Sequence, residues 1–486
     1  MTYLLVAVLV WPLLAGLIVL CLGRSEALAK SVALIGAGVE ACLGMALAYG
    51  AFSGAGLVGV DWAWLGHLHS RFTLGAHGLG LILVVLSAVL PFLIMLGSLR
   101  VSIANARWFY ALLFLMQAAL VGVFAAGDGL LFYIFWEMTL IPAYFLILVW
   151  GGLRRVAQTL RFFVYTLSGS LLMLLALAYL YFQTPAPHTF SLEVICNLPL
   201  SSLEQLAIFA AFFVAFAIKT PLFPFHTWQP DTYETASSTT TMMLAGLMSK
   251  MGIYGMILFI VPLCPEPLRY VGPLVVGLGI AGIVYASALA LVQTQFKRVL
   301  AYSSIAHLSL IVVGVFSGTT AGYQGAALQM VSHAVLTVGL FGVAQLLESR
   351  YGSTDMGRLG GLVTENRLFS AVFLIFVLGS IAFPLTSGFV GEFTLLWGIF
   401  QYSKIAAFMA GSTLVLGAWY MLKSYQTIML GELQQPRTLL SVSVSEGLTF
   451  CVVAGLVLLI GLFPQPILKI AGMLVFHSME GILPLC

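Results

Sequence analysis

The hydrophobic positions of this chain fall in long runs separated by short polar stretches. Fourteen runs are long enough to cross a bilayer as helices. Their limits lie near 2–22, 30–52, 78–97, 109–126, 128–150, 163–182, 204–229, 238–261, 271–292, 300–316, 324–347, 370–400, 404–430 and 444–464, and a tail of about twenty residues follows. The longest polar interval, from Phe52 to Gly78, is some 25 residues, too short for a folded soluble domain. The pattern predicts an all-α, polytopic membrane protein, a single membrane domain over 1–486.

Composition supports that class. Of 486 residues, 61% are hydrophobic and only 8% charged, where soluble domains carry about 25%. The first run could pass for a signal peptide, since Ala27-Leu28-Ala29 has a cleavage-site look. It lacks a basic leading region, its apolar run is too long, and Arg24 and Glu26 crowd the site, so a retained helix is expected.

The placement of charge gives a topology. Of the twenty Lys and Arg, thirteen fall in odd-numbered loops and four (Arg71, Arg269, Lys404, Lys469) in even-numbered loops or the tail. Lys219, Lys250 and Lys423 lie inside spans. Basic loops stay cytoplasmic, so both termini are expected to face away from the cytoplasm.

Two spans are broken by proline. The seventh is interrupted at Pro221, with Pro224 and Pro230 beyond it, and the twelfth at Pro384 in IAFPLTSGFVGEF. Spans four to eight (109–261) and nine to thirteen (271–430) each contain one break. An odd number of spans per group starts the second on the opposite face. That is an inverted-topology repeat, a layout associated with midplane ion sites. Proline frees a backbone carbonyl, tolerated at membrane depth only where water or protein supplies a partner. Local hydration is therefore expected beside Lys219 and Glu392.

Ionisable residues in apolar spans are the candidate chemistry. A lysine at the centre of a membrane helix costs about 2.5–3.5 kcal/mol on insertion scales, and this chain carries two, Lys219 and Lys250. Glu137 lies mid-span in FWEMTLIPAYF, and Glu392 follows the second break. A carboxylate near Lys219 favours its charged form, and losing that contact favours the neutral one, giving two states of proton affinity. His307 and His333 could relay protons, having an ordinary pKa near 6.5. Each has a structural alternative: helix-to-helix pairing for Glu137, an ion pair with an arginine for Glu392, plain hydrogen bonding for the histidines. Lys423 reads as snorkelling toward an interface. Asp231 and Glu234 stand in the one odd loop without a basic residue, either as a proton entrance or as helix caps.

Other chemistry is not indicated. The six cysteines show no C-x-x-C spacing, so neither zinc nor an iron–sulfur cluster is expected. Cys196 and Cys264 both fall in outer loops, where a disulfide is permitted but not favoured. Gly277, Gly279 and Gly282 match G-x-G-x-x-G inside a span. Without a preceding strand this reads as close helix packing rather than dinucleotide binding.

Five motifs in order, FWEMTLIPAYFLI, KTPLFPFHTWQPD, LAGLMSKMGIYG, KRVLAYSSIAHLSLI and SGFVGEF, resemble the antiporter-like subunits of proton-pumping NADH:quinone oxidoreductase, respiratory complex I. The resemblance covers nearly the whole chain. It implies fourteen helices, two inverted five-helix repeats with discontinuous helices seven and twelve, and a central hydrophilic axis. By motif position it implies that Glu137 and Lys219 are a coupled pair, Lys250 a central relay, His307 and His333 linkers, and Glu392 the terminal site. Within the superfamily, Glu392 in place of the lysine usual in related subunits, the overall length and an early end after span fourteen resemble the M-type, called chain 4 in mitochondria. The family usually reads P-D-A-H-x-x-A-P after the seventh span. Here the run is Pro230-Asp231-Thr232-Tyr233-Glu234-Thr235-Ala236-Ser237, which puts a role of that loop in proton access in doubt. The resemblance implies a multi-pass subunit of the cell inner membrane, partnered by other membrane-arm subunits, lipid, protons and water, with no NADH, cofactor, metal or nucleic acid bound by this chain. A subunit of a multi-subunit Na⁺/H⁺ antiporter or membrane-bound hydrogenase complex, and a purely structural scaffold, are the alternatives.

Overall fold

The computed structural model describes residues 2–52, 58–432 and 440–471. Arg437, Cys486 and the tail beyond residue 471 lie outside the described residues. Among the described residues, thirteen helices are long and apolar enough to cross a membrane. The remaining expected span, the twelfth, is divided into Arg367–Ser380 and Ser387–Tyr402. The protein is a multi-pass membrane protein.

Burial sorts the helices into a core and a wall. In the most apolar stretch of each, span ten (Phe296–Phe316) is buried throughout, span eleven (Thr320–Tyr351) to 94% and span eight (Ser238–Leu263) to 89%. Spans one, two, six, thirteen and fourteen reach only 33–39%. The outer helices present large apolar side chains such as Ile35, Leu175, Phe408 and Val415 outward, as a lipid-facing wall requires. The three core helices carry Lys250, His307 and His333. Each of the most protein-enclosed elements thus carries an ionisable residue.

Several expected boundaries shift. Span six begins at Arg155, span ten at Phe296, and span eleven ends at Tyr351. Arg161, Lys297, Arg298 and Arg350 are therefore helical rather than in loops. Asp231 and Glu234 explain why: Arg161 donates to Asp231 at 2.8 Å, and Arg298 donates to Asp231 at 2.9 Å and Glu234 at 2.7 Å. The loop lacks a basic residue because neighbouring helices supply the cations. Lys297 is buried and donates to the Ala236 carbonyl at 2.8 Å, with Glu348 at 3.5 Å.

The interval after span two is not plain loop. Strands β1 (Val58–Leu65) and β2 (Ser70–Ala76) form an antiparallel hairpin, with Trp62 opposite Phe72. Alternating β-branched and aromatic residues suit a pleated surface. The hairpin docks on the start of span five (Gly129–Trp150): Gly127 donates its N–H to the Thr73 carbonyl, and Asp128 accepts from Ser70 Oγ and from the Leu130 and Leu131 amides. Gly279 and Gly282 lie against Val313 and Ser309 of span ten, the close packing expected of small residues. Cys264 is a buried free thiol, so it is not paired with Cys196.

Candidate functional site

Span seven (Ser202–Lys219) ends on the candidate lysine itself. Pro221 offers no N–H to continue the ladder. The Ala217 carbonyl accepts from the Leu222 amide, and the Ile218 carbonyl from the Trp228 indole at 2.9 Å. Protein donors thus reach both carbonyls beside Lys219.

Lys219 is 2% exposed. Its Nζ donates to Thr139 Oγ1 at 3.3 Å and lies 5.4 Å from the Trp136 ring centroid. Trp136 and Thr139 are three apart on span five and share a face, while Glu137 points to the side. No ion pair joins Glu137 to Lys219 among the described residues, and Glu137 Oε1 is buried without a hydrogen-bond partner. The expected pair lies on adjoining helices in an open arrangement.

Span eight is not a regular helix. It contains π turns at Leu244–Met248 and Met256–Ile260, features often found at functional sites. In the first, the Ser249 amide bonds back to the Leu244 carbonyl, and the Ala245 carbonyl accepts from Ser249 Oγ and from Lys250 Nζ at 2.6 Å. Gly252 lets this segment approach the end of span seven. A Cβ there would run into the Thr220 hydroxyl and the Phe216 carbonyl.

From Lys250 a series of buried groups leads toward Glu392. Lys250 Nζ lies 2.7 Å from His333 Nδ1. The His333 and His307 rings meet edge to face at 5.9 Å between centroids. His307 Nδ1 stands 3.0 Å from Glu392 Oε1, near enough for an ion pair although the ring is not aimed for a hydrogen bond. Gln329 Nε2 donates to the same oxygen at 3.2 Å. A cavity of about 30 Å³ sits among these groups, lined by His307, His333, Gln329, Thr337, Ser380 and Glu392. That is room for water beside polar partners, next to the second helix break, where Ser380 ends Arg367–Ser380. Gly391 packs directly on Gln329 and Gly388 on the Gly379 carbonyl, which fixes Glu392 at this depth.

Several participants escaped the sequence reading. Gln329 and Thr337 flank His333 at four-residue spacing, a stripe that periodicity could have exposed. Thr139 and Trp136 carry no such signal. Glu40, mid-way along span two (Glu26–Phe52), is fully buried with neither carboxylate oxygen hydrogen-bonded. Its charge in an apolar run was the available sign. Lys423 is exposed and reaches the Leu291 carbonyl at 3.4 Å, consistent with snorkelling.

A family described as NADH:quinone oxidoreductase/Mrp antiporter, TM, matches residues 126–417, a stretch holding Glu137, Lys219, Lys250, His307, His333 and Glu392. The chain belongs to this family. Within it, the chain is 38% identical over 435 residues to NADH-quinone oxidoreductase subunit M of Rickettsia prowazekii, covering 87% of this chain and 85% of that one. It superposes on a chain of respiratory complex I from Thermus thermophilus with a TM-score of 0.89 at 30% identity, covering 96% and 98% of the two chains. A chain of the Mrp complex from Dietzia shares the fold alone, with a TM-score of 0.84 at 21% identity over 96% of this chain and 51% of that one. The chain therefore shares the fold of the family's membrane subunits.

Proposed function

We propose that this chain is an M-type, proton-translocating membrane-arm subunit of an NADH:quinone oxidoreductase, and that it performs no redox chemistry itself. What carries the reading is the run of buried contacts from Lys250 through His333 and His307 to Glu392, at 2.7, 5.9 and 3.0 Å. Four ionisable groups in a membrane interior are costly unless used, and a scaffold gains nothing from aligning them. In this reading Glu137 and Lys219 form the input pair. Redox chemistry elsewhere in the complex closes or opens the gap between them and so changes the proton affinity of Lys219. The proton passes to Lys250, crosses the histidines with water in the cavity, and leaves from Glu392. The two groups of five spans, 109–261 and 271–430, act as inverted halves with one broken helix each. The subunit sits in the cell inner membrane among other membrane-arm subunits and lipid, with both termini on the non-cytoplasmic side.

The test is Lys250→Met and Glu392→Gln in the assembled complex. Loss of NADH-driven proton pumping with normal assembly is expected. Normal pumping in both variants overturns the reading.

A further inference from the structure

The Lys219 ammonium does not sit on the carboxylate expected to hold it. It rests on Trp136 instead, 5.4 Å from the ring centroid, with Thr139 Oγ1 at 3.3 Å. Trp136 and Glu137 are consecutive on span five, so their side chains leave the helix about 100° apart. One lysine thus stands beside two different partners, a ring on one face and a carboxylate on the next. Glu137 Oε1 is buried and accepts no hydrogen bond.

The ring is built into the protein. Trp136 is 2% exposed and packs on Phe132 of its own helix, 5.6 Å between centroids, and on Phe216 of span seven at 5.5 Å. Phe259 of span eight closes the group, 4.9 Å from Phe132 and 6.1 Å from Phe216. Phe216 stands three residues before Lys219, on the same face of its helix. This aromatic cage fixes the indole, while the four-carbon stem of Lys219 supplies the reach. An indole face attracts an ammonium most strongly where water is excluded. It has no basic lone pair, so it holds the charged lysine without taking its proton.

We propose that Trp136 is a positioning residue of the input pair: its indole face is the second resting place of the Lys219 ammonium and competes with Glu137 for it. The inference rests on the proton-moving reading above. A lysine with only a carboxylate for a partner stays locked to it in the charged form. A ring of moderate attraction makes the parted arrangement comparably favourable. A small electrostatic push from elsewhere in the complex then moves the lysine either way, because the two states differ little to begin with.

Fluorinated tryptophans at position 136 of the assembled complex test this, since each fluorine drains the π face while the ring keeps nearly the same size. Sealed membrane vesicles report NADH-driven pumping, and subunit content reports assembly. With the hold of the ring weakened, Lys219 falls back on Glu137 and the pair stays closed. Pumping is expected to drop stepwise with each added fluorine, by about fivefold to thirtyfold in all, the factor that a buried cation–π contact is worth. Trp136→Phe, with a weaker ring, is expected to lie inside the series, and Trp136→Leu at its foot. A flat series, or a drop equal at every degree of fluorination, overturns the inference. So does full pumping in an assembled Trp136→Leu complex. If Lys250→Met abolishes pumping while the series is flat, only this inference falls. If Lys250→Met pumps normally, the proton-moving reading falls with it.

Discussion

At the residue scale, Lys219 and Lys250 are held by weak, neutral partners. Lys219 has one hydroxyl and one ring face, Lys250 a carbonyl, a hydroxyl and an imidazole. A strong counter-ion would lock either lysine in its charged form. Thr139→Val removes Lys219's hydrogen-bond acceptor at nearly constant volume. Because 3.3 Å is long, the cost is expected near the low end for a bond to a charged group, about 1.5 kcal/mol. It should appear as reduced pumping in a complex of unchanged subunit content. The hairpin offers a separate residue-level check. The Arg71 hydrogen bond at 2.6 Å holds the Asp61 carboxyl below its ordinary value of 3.8. A lowered carboxyl stabilises the hairpin above that value and ceases to do so as pH falls through the folded one. Hydrogen exchange of the hairpin amides, corrected for intrinsic rate, is expected to lose protection below about pH 4 in the parent chain. In Asp61→Asn that acid step should vanish.

At the element scale, helix irregularities set where the chemistry sits. The end of span seven, the π turn of span eight and the break in span twelve each place an ionisable side chain at or just beyond an interruption of the regular ladder. Gly252→Ala tests whether that geometry matters. Its methyl meets the Thr220 hydroxyl and Phe216 carbonyl, so overpacking of about 1–3 kcal/mol is expected. The signature is a lower melting temperature together with lost pumping, since the shift falls between Lys219 and Lys250. The two proline breaks were legible in the sequence because proline has a fixed chemical consequence. The π turns were not, since LAGLM and MILFI read as ordinary apolar helix. The same limit applies to the site. Charge in oil marked Lys219, Lys250 and Glu392 plainly, but Thr139 and Gln329 gain their meaning only from helices distant in sequence. The β-hairpin was hidden by its brevity, seven and eight residues inside an interval taken for loop.

At the scale of the whole molecule, a dry wall encloses a polar interior. The bias of basic residues predicts which surface faces which compartment. Single cysteines at Gly152, on the odd-loop side, and at Pro185, on the even-loop side, should label from opposite sides of sealed vesicles. Gly152→Cys is expected to react only from the cytoplasmic side, and the reverse pattern would invert the topology. Hydropathy made this layer readable because the bilayer permits few alternatives to a spanning helix.

The contact between Lys250 and His333 has one more consequence. At 2.7 Å two unit charges of like sign repel by about 6 kcal/mol at an effective dielectric of about 20. Carrying a positive charge on both nitrogens at once is therefore strongly disfavoured at this separation. In the proposed relay, traffic through the middle of the subunit would then be single file, like a turnstile with one seat: the next passenger boards only after the last has stepped off toward His307.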